Sequence, residues 1–249
     1  LGAICLSHLH ADHVAGLPGL LHTLANSGRQ EPVLLYGPPG TAAVVAGLRT
    51  IVPDLPYDLQ VRELRDEARA PLPAGLIATV AAGEHRLPVL GYRVDLARAP
   101  RFSPERAEAL DIPLALWRDL QAGRAVTWPG GSATPDQVLG PSRRGLAFAY
   151  VTDTRPRSAF IPFLAEVNLL VCEGTYGDPA DGEKAVKWGH MTFAEAATLA
   201  REARAGSLWL THFSPALTDP ARFLEQATRH FAATTLGVTG LTTTLNFAD

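Results

Sequence analysis

Six residues near the start of the chain, His8-Leu9-His10-Ala11-Asp12-His13, carry three imidazoles and a carboxylate in the spacing H-x-H-x-D-H. Such a cluster is a poor packing device, because polar groups left dry and unpaired are costly. Ligation explains it better. The apolar run before it reads as a buried strand over 3–8, which projects His8 and His10 to one side. Asp12 and His13, adjacent where the strand breaks into a loop, then point toward a second centre beside the first. One short turn thus offers ligands to two metal ions. Mixed imidazole and carboxylate donors suit Zn²⁺, and Mn²⁺ is also compatible.

The chain holds eight histidines, and further ligand types stand at the ends of apolar segments. His85 follows a strand expected at 77–82, Asp153 ends one at 146–152, and His212 ends one at 207–211. In open α/β sheets, sites gather at the carboxyl ends of strands. His190 sits just before a capped helix in Gly189-His190-Met191-Thr192. Arg155 and Arg157, close behind Asp153, are candidates for phosphate oxygens, with ordinary surface charge an equal alternative. His22, mid-helix, and His230, near a helix end where a cation suits the dipole, read as structural.

The elements that must position these residues alternate along the chain. Strands are expected at 33–37, 77–82, 89–95, 146–152, 167–172, 207–211 and 236–247. Helices are expected near 16–27, 40–51, 104–121, 155–165, 192–204 and 219–231. That order predicts an α/β layered fold. Gly28 reads as a helix stop, and Thr192-Phe193-Ala194-Glu195 as a capping box. The Pro/Gly-rich piece 127–145 is expected as an exposed loop or arm. Gly37-Pro38-Pro39-Gly40-Thr41 begins like a nucleotide-binding loop, but Ala42-Ala43 stand where Gly-Lys would be needed. Nothing there reaches a terminal phosphate, so a strand-to-helix turn is expected.

With 249 residues, 47% hydrophobic and 19% charged, the chain is expected to form one large domain, 1–249. No apolar run is long enough for a membrane span. The chain opens without Met or a basic-apolar leader, inside a strand, and is read as a fragment whose upstream strands are missing. Cys5 and Cys172, each in an apolar run, read as small buried hydrophobes in a reducing, cytoplasmic compartment. A net charge of −3 gives no bulk attraction to polyanions, so nucleic-acid binding needs a local basic patch. The segment 93–106 offers a modest one in Arg93, Arg98, Arg101 and Arg106.

The H-x-H-x-D-H turn resembles the signature of the metallo-β-lactamase superfamily. Its continuation His13-Val14-Ala15-Gly16-Leu17-Pro18-Gly19-Leu20-Leu21 resembles the ribonuclease Z family, the tRNA 3′ processing endonucleases. So do Thr152-Asp153-Thr154-Arg155-Pro156, Cys172-Glu173-Gly174-Thr175-Tyr176-Gly177-Asp178, Gly189-His190-Met191-Thr192 and Thr211-His212-Phe213-Ser214-Pro215. The resemblance implies a four-layer αβ/βα metallo-β-lactamase sandwich, lacking its first strands here, and a homodimer. It implies two Zn²⁺ per chain, one held by His8, His10, His85 and Asp153, the other by Asp12, His13, Asp153 and His212, with Asp153 shared. It also implies that Asp12 accepts a proton from the attacking water, that His190 donates one, and that Glu173 supports them. The partner implied is a tRNA precursor. Against the family pattern, 112–117 lacks a Gly-Pro element and the insert at 93–145 makes a short arm. The alternative is a dinuclear hydrolase of a small phosphodiester, lactone or thioester.

Overall fold

The structure, a computed structural model, describes residues 1–248. In chain order its elements begin β1 (Ala3–Cys5), α1 (Ala11–Val14), α2 (Leu17–Asn26), β2 (Val33–Gly37), α3 (Thr41–Leu48), β3 (Leu59–Glu63), β4 (Arg69–Pro71), β5 (Ile77–Ala82) and β6 (Leu90–Arg98). There follow α4 (Pro104–Ala109), α5 (Trp117–Gln121), β7 (Val126–Trp128), β8 (Gly131–Ala133), α6 (Pro135–Val138) and β9 (Arg143–Val151). The last are α7 (Phe160–Phe163), β10 (Leu169–Glu173), α8 (Gly182–Trp188), α9 (Phe193–Glu202), β11 (Leu208–Thr211), α10 (Leu224–Thr228) and β12 (Thr234–Leu236).

Two sheets dominate, one of three strands in the order β1-β2-β3 and one of seven in the order β12-β11-β10-β9-β6-β5-β4. The period-2 alternation of β2 explains how they layer. Leu35 turns toward α2 and α3, joining Leu17, Leu21 and Val45. Leu34 and Tyr36 turn the other way, joining Ala78, Val80, Leu90 and Tyr92 of the larger sheet. Beyond that sheet, Leu170, Cys172, Leu208 and Leu210 pack against Phe160 and the Phe193, Ala196, Ala197 and Ala200 face of α9. The sequence of helices, sheet, sheet and helices is the expected αβ/βα sandwich.

The chain folds into two compact units, Leu1–Leu96 with Ala147–Leu245, and Ala97–Leu146 with the chain end from Asn246. The second unit has its own small core of Ala107, Ile112, Leu120, Val126, Ala133 and Val138.

Several local expectations are met. Gly28, at φ 77°, follows the end of α2, and the Thr192–Glu195 capping box opens α9. The Gly37–Thr41 segment turns from β2 into α3, and its amides bond inside the protein: Gly40 and Ala42 both donate to Glu63 Oε1 at 3.0 Å.

Others need correction. The helix expected at 104–121 is broken, because Asp111 adopts φ 51° and Pro113 follows. Only Phe160–Phe163 of 155–165 is helical, and Pro156 accounts for the non-helical Arg155 alone. The strand expected at 236–247 ends at Leu236. The piece 127–145 is more regular than a loop: β7 and β8 pair antiparallel across a turn at Pro129-Gly130, and α6 follows. Cys5 is exposed on edge strand β1, whereas Cys172 is buried as expected.

Phe193 is fully buried between α9 and the strands that carry the site. Phe193→Ala is expected to lower unfolding stability by about 3–5 kcal/mol, with exposed Val186→Ala within about 0.5 kcal/mol of the parent, both read by urea titration.

Candidate metal centre

The opening turn is held from two directions before it reaches its first histidine. Leu6 N–H donates to Tyr36 O at 2.8 Å, Leu90 N–H donates to Ser7 O at 2.9 Å, and Tyr92 Oη donates to Leu6 O at 2.8 Å. Both sheets therefore fix where β1 ends. His8 emerges fully buried, with Nδ1 3.1 Å from Ser7 Oγ and Nε2 left facing inward. His10 is the residue before α1, and Asp12 and His13 lie in that short helix.

The other candidates converge from the ends of β5, β9 and β11. His8, His10, His85 and Asp153 bring ligand atoms within 4.8 Å of one another. His13, Asp153 and His212 form a second such set. Asp153 belongs to both, with Oδ2 3.6 Å from His8 Nε2 and Oδ1 3.6 Å from His13 Nε2 and 3.3 Å from His212 Nε2. Asp153 and His212 take φ of 50° and 57°. Non-glycine residues rarely occupy that region, and such residues cluster at functional sites.

Asp12 stands apart. Its carboxylate reaches 3.6 Å from His13 Nε2, yet its side chain is 78% exposed and it joins neither mutual set. His190 completes a third group with Glu173 and His212. Its Nδ1 lies 3.2 Å from Glu173 Oε2, and its ring stacks on that of His212 at 5.4 Å.

The protonation states suit cation binding. Burial outweighs the attraction of Asp153 and, with the neighbouring imidazoles, lowers His8 to about 4. His85 is likewise lowered, chiefly by burial. Neutral imidazoles keep the lone pairs that a metal needs. Burial would raise Asp153, but His212, the Thr152 hydroxyl at 2.6 Å, His8 and His13 together hold it below the usual carboxylate value. Converging imidazole nitrogens (His8 Nε2 to His10 Nδ1 at 2.9 Å, His85 Nε2 to His10 Nδ1 at 3.3 Å) around an ionised carboxylate form a donor set that fits divalent cations.

Outer contacts orient these donors, and most of them are not announced by sequence pattern. Fully buried Glu173 accepts from Thr154 N–H, Met191 N–H and the Thr175 hydroxyl besides His190. Thr175 Oγ1 also lies 3.1 Å from His212 Nδ1. One signal could have found them: Ser7, Thr154 and Thr175 are hydroxyl residues one or two positions from a candidate ligand or from Glu173. Arg155 is not a free phosphate binder. Its guanidinium pairs with Glu195 and donates to the His190 carbonyl. Arg157 donates to the Ala82 carbonyl, and Arg93 is engaged by Asp95 and by the carbonyls of Phe163 and Ala165. His22 and His230 are exposed and remote from these groups, as expected.

Residues 1–105 match the beta-lactamase superfamily domain. The chain is 40% identical to "Ribonuclease Z" of Clostridium kluyveri over 250 residues, covering 100% of this chain and 82% of that protein. It belongs to the ribonuclease Z family. "Ribonuclease Z" of Clostridium botulinum is 42% identical over 259 residues, covering 99% of this chain and 82% of that one. Among solved structures, the short form of human tRNase Z aligns with a TM-score of 0.61 at 22% identity, covering 94% of this chain and 75% of that one. The metallo-beta-lactamase fold protein YhfI of Bacillus subtilis aligns with 0.63 at 19% identity, covering 97% and 76%. These two show the fold alone. The family makes the chain a metal-dependent hydrolase, and among its described residues no helix is long and apolar enough to cross a membrane.

Because Asp153 serves both sets, Asp153→Ala is expected to lose bound metal and activity together. Asp12→Ala is expected to lose activity far more than metal. Thr175→Val, which unties His212, should weaken metal binding about 10- to 100-fold. Metal analysis beside turnover separates these outcomes, and equal loss of metal in the two aspartate variants would refute a separate role for Asp12.

Proposed function

We propose that this chain is an endoribonuclease that removes 3′ trailers from tRNA precursors. Family membership supports the reaction class. The observation that carries the reading furthest is the pairing of His190 with buried Glu173, beside His212 and the shared Asp153. A hydrolase of phosphodiesters needs a proton for its departing alkoxide, and an imidazole is the usual source.

Two cations are proposed, one held by His8, His10, His85 and Asp153 and the other by His13, Asp153 and His212 with Asp12 at its edge. Zinc is the proposed metal, with manganese compatible. Bound there, such ions supply Lewis acidity and a lowered pKa for water. The protein's own groups do the rest. Asp12, exposed and in no mutual ligand set, takes the proton from the attacking water. As the water oxygen bonds to phosphorus and the bond to the ribose oxygen breaks, His190 donates to that leaving oxygen. Its Nδ1 is committed to Glu173, so Nε2 is the nitrogen that carries the transferable proton. Burial disfavours a charged His190, but the hydrogen bond and charge of Glu173 outweigh it and leave the imidazole more basic than usual. The protonated donor therefore persists to higher pH than an unpaired histidine would allow. The homodimer implied by the family resemblance and the cytoplasmic location read from the two cysteines are part of this proposal.

A second reading, hydrolysis of a small phosphodiester, lactone or thioester by the same groups, is favoured by the acidic net charge of −3 and by the engagement of Arg93 and Arg155 inside the fold. The two readings separate when the protein, supplied with zinc or manganese, is offered a tRNA precursor with a 3′ trailer beside bis(p-nitrophenyl) phosphate. Cleavage of the precursor, abolished by chelation and restored by metal, is expected. Turnover of the small diester alone would reject the tRNA assignment.

A further inference from the structure

The end of the helix that leads into the third histidine group carries a feature that metal binding does not require. Trp188 ends α8, one residue before Gly189 and two before His190. Its side chain is large and apolar, yet 40% exposed. Two cations attend the ring: the Arg86 guanidinium carbon lies 4.2 Å from its centroid and Lys187 Nζ lies 5.4 Å away. Among the described residues, neither cation forms an ion pair with a carboxylate.

This cluster abuts the metal ligands. Arg86 follows His85 directly, and His85 Nδ1 lies 3.2 Å from the carbonyl oxygen of Gly189. Gly189 holds φ 75°, where a Cβ would stand 3.0 Å from His85 Nδ1, so the chain passes closest to the ligand immediately after Trp188. Beside the cluster is an open groove of about 510 Å³ lined by His85, Arg86, Leu87, Pro88 and Arg157, with Glu84 its one carboxylate. In a chain of net charge −3, a cationic groove with an exposed indole next to imidazole ligands is a local exception.

Stability does not account for it. An exposed cation–π pair is a weak contact, and an indole that is not fully covered forgoes part of its burial free energy. Single-stranded RNA supplies what both parts lack: a base offers a flat face to an aromatic ring or guanidinium plane, and its phosphates offer charge to the flanking cations. We propose that Trp188 and Arg86 form a stacking platform for one unpaired nucleotide adjoining the scissile phosphodiester, with Arg86 and Lys187 meeting its phosphates. The platform is a specificity element that contacts substrate and takes no part in proton transfer. It rests on the endoribonuclease reading above.

The test uses the metal-loaded protein and a tRNA precursor carrying a single abasic ribonucleotide at successive positions on either side of the cleavage site. Trp188→Ala is expected to raise KM for the intact precursor roughly 5- to 100-fold, the range typical of one stacked base, with kcat and metal content little changed. Trp188→Phe should recover most of that loss. At one position, removing the base should raise the parent's KM comparably and add nothing further in Trp188→Ala. Arg86→Gln, which keeps the indole, should reduce the salt dependence of KM by about one phosphate contact. If the base deletion and Trp188→Ala are additive at every position, or if kcat and metal content fall with KM, the platform is overturned while the nuclease reading stands. A parent protein that leaves every precursor uncut overturns both.

Discussion

Asp153 is one carboxylate asked to face two sets of imidazoles at once, and the rest of the site is arranged to let it do so. A buried carboxylate resists ionisation unless charge or hydrogen bonds compensate. Here Thr152 supplies a hydrogen bond, and His8 after β1, His13 in α1 and His212 after β11 approach its two oxygens. The left-handed backbone at Asp153 is part of the same arrangement. An extended continuation of β9 would carry the side chain to one face of the sheet by strand alternation. The sharp turn instead sets it between the two groups.

Positioning of that kind depends on rigid supports, and the fold provides them at strand ends. β9, β10 and β11 run parallel and adjacent, so Asp153, Glu173 and His212 leave the sheet side by side. Their apolar segments are buried under α9, which begins at the capping box after His190. Glu195 of that box does two things: it closes the helix N-terminus and it pairs with Arg155, whose other contact is the His190 carbonyl. Helix capping and the placement of the proposed proton donor thus share one side chain.

Much of this is legible in the sequence because the site is written in short motifs. H-x-H-x-D-H, the residues around Asp153 and those around His212 each combine a strand end with a ligand type, and local pattern suffices to find them. β2 and β5 are equally readable, since their apolar runs are bounded by turn residues. What escapes is non-local. The helix expected at 104–121 obeys its periodicity until Asp111 and Pro113 override it. Arg155 looks like a phosphate ligand because nothing nearby in sequence announces Glu195, forty positions on. Asp12 is a ligand type in a ligand motif, yet the short helix it sits in turns it largely toward solvent.

Glu173 has a mechanical consequence. Its carboxylate is shut away from water, and its oxygens are taken by Thr154, Thr175, Met191 and His190, from three separate stretches of chain. Thr154 adjoins Asp153, and Met191 adjoins His190. One sequestered carboxylate is thus the common tether from which both neighbours take their places, and losing it would untie the two together.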